Sequence, residues 1–178
     1  MLPLAGVLVG VVLLSGCVPG DPVVTPQPEP SSTPLFASEE EALAAATEAY
    51  AAYLAMSDTI TSEGGARPER IKPFVSEEQY ERELIGFEAY GDQGNHSEGS
   101  SQVDSPKLQA YDAATSRVSI YICLDLSGTR VVGPTGETVS PPEASGRLPI
   151  EASFVNGSEA TIVVDGSEPW SGSDFCAL

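Results

Sequence analysis

Positive charge is scarce in this chain: eight Lys and Arg stand against 26 Asp and Glu, a formal net charge of −18 over 178 residues. That balance excludes nucleic acid as a partner, because its phosphates would be repelled. It also disfavours direct adsorption to anionic lipid head groups. Histidine occurs once, at His96, and the three cysteines stand far apart with no C-x-x-C, so no metal-ligand spacing exists. There is no nucleophile elbow, phosphate-binding loop, dinucleotide fingerprint or EF-hand, and no cofactor is implied. His96, with Asp92, Asn95 and Glu98 nearby, reads as part of a solvated, turn-rich loop over 91–101. Long apolar runs are missing as well. The longest, Leu4 to Leu14, has about a dozen residues, too few to cross a bilayer core of roughly 30 Å as a stable helix.

What is present at the end of that run is Leu14-Ser15-Gly16-Cys17. An apolar core followed by small residues and a cysteine has the form of an export signal that is later removed. Leu-Ser-Gly-Cys resembles the lipobox of bacterial lipoproteins. The resemblance implies a signal peptide over 1–16 and a diacylglycerol on the sulfur of Cys17, which becomes the first residue of the mature protein. The anchored chain is then expected at the cell membrane, on its extracytoplasmic side. Two or three acyl chains, at about 0.8 kcal/mol per buried CH₂, hold a protein at a bilayer far more firmly than one. Residues 18–34, VPGDPVVTPQPEPSSTP, are too rich in proline for a helix or a central strand and favour extended polyproline conformations. At about 3.1 Å per residue, this tether over 17–35 could hold a domain up to roughly 50 Å from the membrane.

The remaining segment, 36–178, is sized for one domain. Ser38 with Glu41 forms a capping box, and Leu43, Ala46, Tyr50, Tyr53 and Leu54 make one stripe of a helix from about Glu39 to Ser57. Pro68 to Val75 reads as a short helical turn. Ser76 and Gln79 cap a further helix with Tyr80, Leu84, Phe87 and Ile85 on its inner side, ended at Gly91. The period then changes to two. Residues 102–114 form a strand whose Pro106 marks an edge or a bulge, and 116–126 form the clearest strand. In that strand Val118, Ile120, Ile122 and Leu124 face one way, and Tyr121, Cys123 and Asp125 the other. A hairpin turns at 133–136, and two last strands, 146–154 and 160–165, meet at Asn156-Gly157, a pair that favours a tight turn. With Cys17 assigned to lipid, Cys123 and Cys176 remain as an even pair in an oxidising compartment and are expected to form a disulfide. The rivals, a metal site or a reactive thiol, lack a supporting Cys/His cluster.

Helices followed by four to six antiparallel strands make an α+β layout. It resembles the NTF2-like, cystatin-related fold, a curved sheet wrapped on a long N-terminal helix to make a cone. More narrowly, it is similar to lipobox-bearing NTF2-like lipoproteins of high-GC Gram-positive bacteria, through the tyrosine-rich first helix, the strand Val118 to Gly128, its hairpin and the final Cys176. The resemblance implies a fold without fixing an activity, since such domains include isomerases, dehydratases and binding modules. An enzyme of this kind needs a base and a tyrosine or acid inside the cone. The inward strand residues are aliphatic, so Tyr121 and Asp125 are the catalytic candidates only if the faces are reversed. Tyr50 and Tyr53 are candidate ligand contacts, with core packing as the plainer alternative. The expected function is a non-enzymatic tethered domain binding a small apolar ligand or an envelope protein partner. A Tyr/Asp isomerase or hydratase and a structural accessory of an envelope complex are the alternatives. A homodimer through the outer sheet face would be in keeping with such domains.

Overall fold

Ser38 begins the domain. Its extended backbone lets Oγ accept from Glu41 N–H at 3.1 Å, while the Glu41 carboxylate accepts from Ala37 N–H at 2.8 Å, closing the cap one residue upstream of its usual form. The computed structural model describes residues 34–139 and 146–176; the signal segment, Cys17 and most of the tether lie outside them. Helix α1, Glu39–Ser62, buries Ala42, Ala46, Tyr50, Tyr53, Leu54 and Ile60 along one stripe. It continues beyond the expected end at Ser57. The burial of Ile60 carries it on, and the hydroxyls of Thr59 and Thr61 fold back onto the carbonyls of Ala55 and Ser57 at 2.8 and 3.1 Å. Gly64 and Gly65, with φ of 71° and 79°, then take the chain out of the helix. A Cβ on Gly65 would stand 2.3 Å from the carbonyl oxygen of Phe87, so only glycine fits that approach.

A 3-10 helix, Pro68–Phe74, buries Ile71, and Val75 bridges Val164 in parallel before α2, Glu77–Asp92. Ser76 caps α2 by accepting from Gln79 N–H at 3.2 Å. Gln79 and Phe87 form the buried line of α2, whereas Ile85 is 69% exposed and lies outside the expected inner face. Gln79, Glu83 and Phe87 follow each other at i, i+4, i+8, which turns Ile85 away from the core.

Six strands follow: β1 His96–Gly99, β2 Gln102–Asp112, β3 Arg117–Asp125, β4 Thr129–Val132, β5 Arg147–Asn156 and β6 Ile162–Pro169. Strands β2-β3-β5-β6 form an antiparallel sheet in that order, and β1 pairs with β4 in a separate ribbon. The fold is α+β, with the helices against the four-stranded sheet. Strand β1 corrects the reading of 91–101 as a loop: His96 pairs with Val132 and Glu98 with Arg130. Edge strand β2 slips register between Asp104 and Lys107, where Ser105 has φ 52° and Pro106 supplies no N–H. The β5–β6 turn also differs from expectation. Gly157 N–H bonds Thr161 C=O at 2.8 Å, extending the ladder past Asn156, so the reversal falls on Glu159 and Ala160, both left-handed at φ 57° and 59°.

The core lies between α1 and the inner sheet face, where Val118, Ile120 and Ile122 of β3 meet Ala152 and Phe154 of β5 and Val164 of β6. Tyr50 sits edge-on to Phe154 with ring centroids 6.4 Å apart, a geometry that adds about 0.5–1.5 kcal/mol to burial. On the opposite face, Cys123 is bonded to Cys176, both buried, across a sequence separation of 53. Replacing both cysteines by serine is expected to lower unfolding stability by about 4 kcal/mol in the chain-entropy account, read as a reduced midpoint in urea. An unchanged midpoint would contradict that role.

Candidate functional site

Tyr50 and Tyr53 lie 1% and 8% exposed, with ring centroids 5.6 Å apart. Their hydroxyls are used internally. Tyr50 shares a 2.7 Å hydrogen bond with Ser167 Oγ on β6, and Tyr53 donates to Glu83 Oε1 at 2.6 Å. Gln79 Nε2 donates to the same oxygen at 2.7 Å, and Arg82 Nε donates to Gln79 Oε1 at 2.9 Å. Burial pushes the Tyr50 hydroxyl up to about 12, the Ser167 bond partly offsetting it, and Tyr53 is raised further by burial and the Glu83 charge. Both stay protonated at neutral pH. They tie α1 to α2 and the sheet and do not line the cavities described below.

Tyr121 and Asp125 occur together on the outer sheet face, paired across from Glu151 and Arg147. Four residues apart on one strand, their Cα atoms are separated by roughly 13 Å. Tyr121 is covered by the C-terminal segment: Trp170 and Phe175 lie against its ring at 4.8 and 5.9 Å, and Gln109 Nε2 donates to its hydroxyl at 2.6 Å. Asp125 Oδ1 accepts from Ser127 N–H at 2.9 Å, and its other oxygen lies 3.7 Å from Arg147. Arg147 forks onto Asp104 at 2.6 and 2.7 Å and donates from Nε to the Cys176 carbonyl at 3.2 Å. These groups fasten the tail to the sheet. The same tail occupies part of the outer face that the resemblance offers for a homodimer.

The larger opening lies elsewhere. A cleft of about 680 Å³ runs between the C-terminal half of α1, the end of α2, the end of β3 and the β1–β4 ribbon. Such a volume is within the ordinary range for small-molecule sites. One wall is aliphatic, from Leu54, Leu124, Leu126 and Val131, with Val139, 42% exposed, at the mouth. The other is rich in hydroxyls, from Ser57, Thr61, Ser97 and Ser101. Asp58 accepts from Ser101 N–H at 2.7 Å and from its Oγ at 2.8 Å, which closes the β1–β2 turn onto α1. Nearby the Tyr90 hydroxyl is buried without a partner of proper geometry; burial raises its pKa and the adjacent Ser97 hydroxyl partly offsets this. From the sequence, Leu54 and Leu124 read as core and Asn95 as loop, and none of the lining residues reads as part of a site, since the cleft is assembled from four separate elements.

A second groove, of about 380 Å³, lies between α1, the 3-10 helix and the β5–β6 turn. Among the described residues, no group of three His, Cys, Asp or Glu is placed to hold a metal ion, and no helix is long and apolar enough to cross a membrane. His96 Nε2 lies 3.8 Å from Glu98, which also takes Arg130.

No family model and no curated protein matches the sequence. Among solved structures, a periplasmic fragment of TraM is similar at 11% identity and a TM-score of 0.45, over 75% of this chain and 98% of that one.

The acid response of the tail anchor follows from its charges. The bidentate Arg147 bond holds the Asp104 carboxyl below its ordinary value, and Ser127 does the same for Asp125 with help from Arg147. A depressed carboxyl contributes stability that is present above its unfolded pKa of about 3.9 and is lost as pH falls through the folded value. The melting-temperature gap between wild type and Arg147→Met should therefore be widest at neutral pH and narrow below about pH 4. A gap independent of pH would refute this.

Proposed function

We propose that this chain is a membrane-anchored extracytoplasmic lipoprotein whose NTF2-like domain binds a small, largely apolar ligand without transforming it. The observation that carries the binding reading is the cleft of about 680 Å³ with its aliphatic wall of Leu54, Leu124, Leu126 and Val131. The location reading is supported by Leu14-Ser15-Gly16-Cys17 and by the Cys123–Cys176 disulfide, a bond that persists in oxidising compartments. The isomerase or hydratase alternative rests on Tyr121 and Asp125, whose polar atoms are engaged by Gln109, Ser127 and Arg147 beneath the tail. An envelope protein presenting an apolar side chain to the same cleft is the second occupant to test.

Two experiments follow. In the intact host, Cys17→Ala should abolish incorporation of radiolabelled palmitate and shift the protein from the membrane to the soluble fraction; unchanged membrane retention would contradict lipid anchoring. With the exported full-length protein, the uncharged dye Nile red should bind at a single saturable site. Leu126→Trp, which fills the cleft, should weaken that binding by about tenfold, a loss of roughly 1.4 kcal/mol. The Tyr121→Phe/Asp125→Asn pair should leave it unchanged. Equal binding by Leu126→Trp, or loss in the double variant, would overturn the assignment, and a stoichiometric co-purifying protein released by Leu126→Trp would favour the protein occupant.

A further inference from the structure

Both charged groups of the cleft are engaged by protein partners before any ligand arrives. Among the described lining residues, two carry formal charge, Asp58 and Arg130. Asp58 is occupied by both donors of Ser101, at 2.7 and 2.8 Å. Arg130, at the rim, is turned onto Glu98, its cross-strand neighbour: Nε donates to Oε2 at 2.8 Å and Nη2 contacts the same oxygen. An entering carboxylate or phosphate would have to break that pair or be buried without a counter-ion, and the chain's net charge of −18 adds a general repulsion.

The polar wall is built from neutral hydroxyls, among them the buried Tyr90 O–H that has no partner. Thr61 Oγ1 donates to the Ser57 carbonyl at 3.1 Å, so in the 2.7 Å contact between Thr61 and Ser97 the proton belongs to Ser97. Ser97 Oγ therefore keeps a lone pair for an incoming O–H. A ligand hydroxyl can accept from the buried, partnerless Tyr90 O–H and donate to Ser97, whereas a carboxylate, which only accepts, can use Tyr90 alone. Opposite stand Leu124, Leu126 and Val131, which have use only for hydrocarbon.

We propose that the cleft selects an uncharged amphiphile, a hydrocarbon body bearing a hydroxyl group, over the fatty acid of the same chain length. This rests on the ligand-binding reading of the cleft. The test compares decan-1-ol with decanoate as competitors of Nile red on the full-length protein at neutral pH. Decan-1-ol should displace the dye at about tenfold lower concentration, because decanoate must bury an unpaired charge. Glu98→Gln, which releases Arg130 at the rim, should improve decanoate several-fold while leaving decan-1-ol where it was, and Ser97→Ala should weaken decan-1-ol alone. Decanoate equal to or better than decan-1-ol in wild type, or displacement by neither while the dye still binds, would overturn the selectivity and leave the cleft as a binding site. Absence of dye binding at the cleft would remove the underlying reading itself.

Discussion

Strand β3 alternates strictly, and the two faces that result organise everything else. Val118, Ile120 and Ile122 point at α1 and are fully buried or nearly so; Tyr121, Cys123 and Asp125 point the other way. A slip of one residue would put the disulfide sulfur among the aliphatic side chains and three β-branched residues under the tail. Register is held by eight consecutive pairs with β5, from Val118 opposite Phe154 to Asp125 opposite Arg147. The inner face makes the hydrophobic core, while the outer face receives the tail through a covalent bond, tilted ring contacts and the hydrogen bond from Arg147 to the Cys176 carbonyl.

With the outer face committed to the tail and the centre of the inner face to α1, the cleft of about 680 Å³ opens where the two layers part. Toward its C-terminal end α1 changes neighbours. At Tyr50 it lies on the sheet, whereas from Leu54 to Thr61 it borders the cleft and the β1–β4 ribbon. The burial of Ile60 keeps it helical through that region, so the cleft has one helical wall. Leu124 and Leu126 belong to the same apolar series as Ile120 and Ile122 but extend past the helix contact, which leaves them lining a cavity where their neighbours fill a core.

Much of this was legible in the chain. The two helix caps at Ser38 and Ser76, the faces of β3 and the edge strand with its bulge at Pro106 follow from local rules of spacing and conformation, and the Cys123–Cys176 pair from counting the cysteines left after Cys17. The misses share a cause. His96–Gly99 carries no strand-like composition and becomes a strand because β4 supplies a partner more than thirty residues away. Asn156-Gly157 has the right turn residues, yet one more ladder bond moves the reversal to Glu159-Ala160. Ile85 looked inward by hydrophobicity alone, while the buried line of α2 is set by Tyr53 and Arg82 reaching Glu83 and Gln79. The cleft was invisible for the same reason, since Asp58, Ser97 and Arg130 meet only through tertiary pairing.

We propose that the domain carries a neutral small molecule in this cleft. Native mass spectrometry of the protein taken gently from its own host tests it most directly. The account predicts a retained small mass that is lost on denaturation and absent from Leu126→Trp, with the released compound uncharged at neutral pH. A bare wild-type domain under conditions that preserve the fold would contradict it.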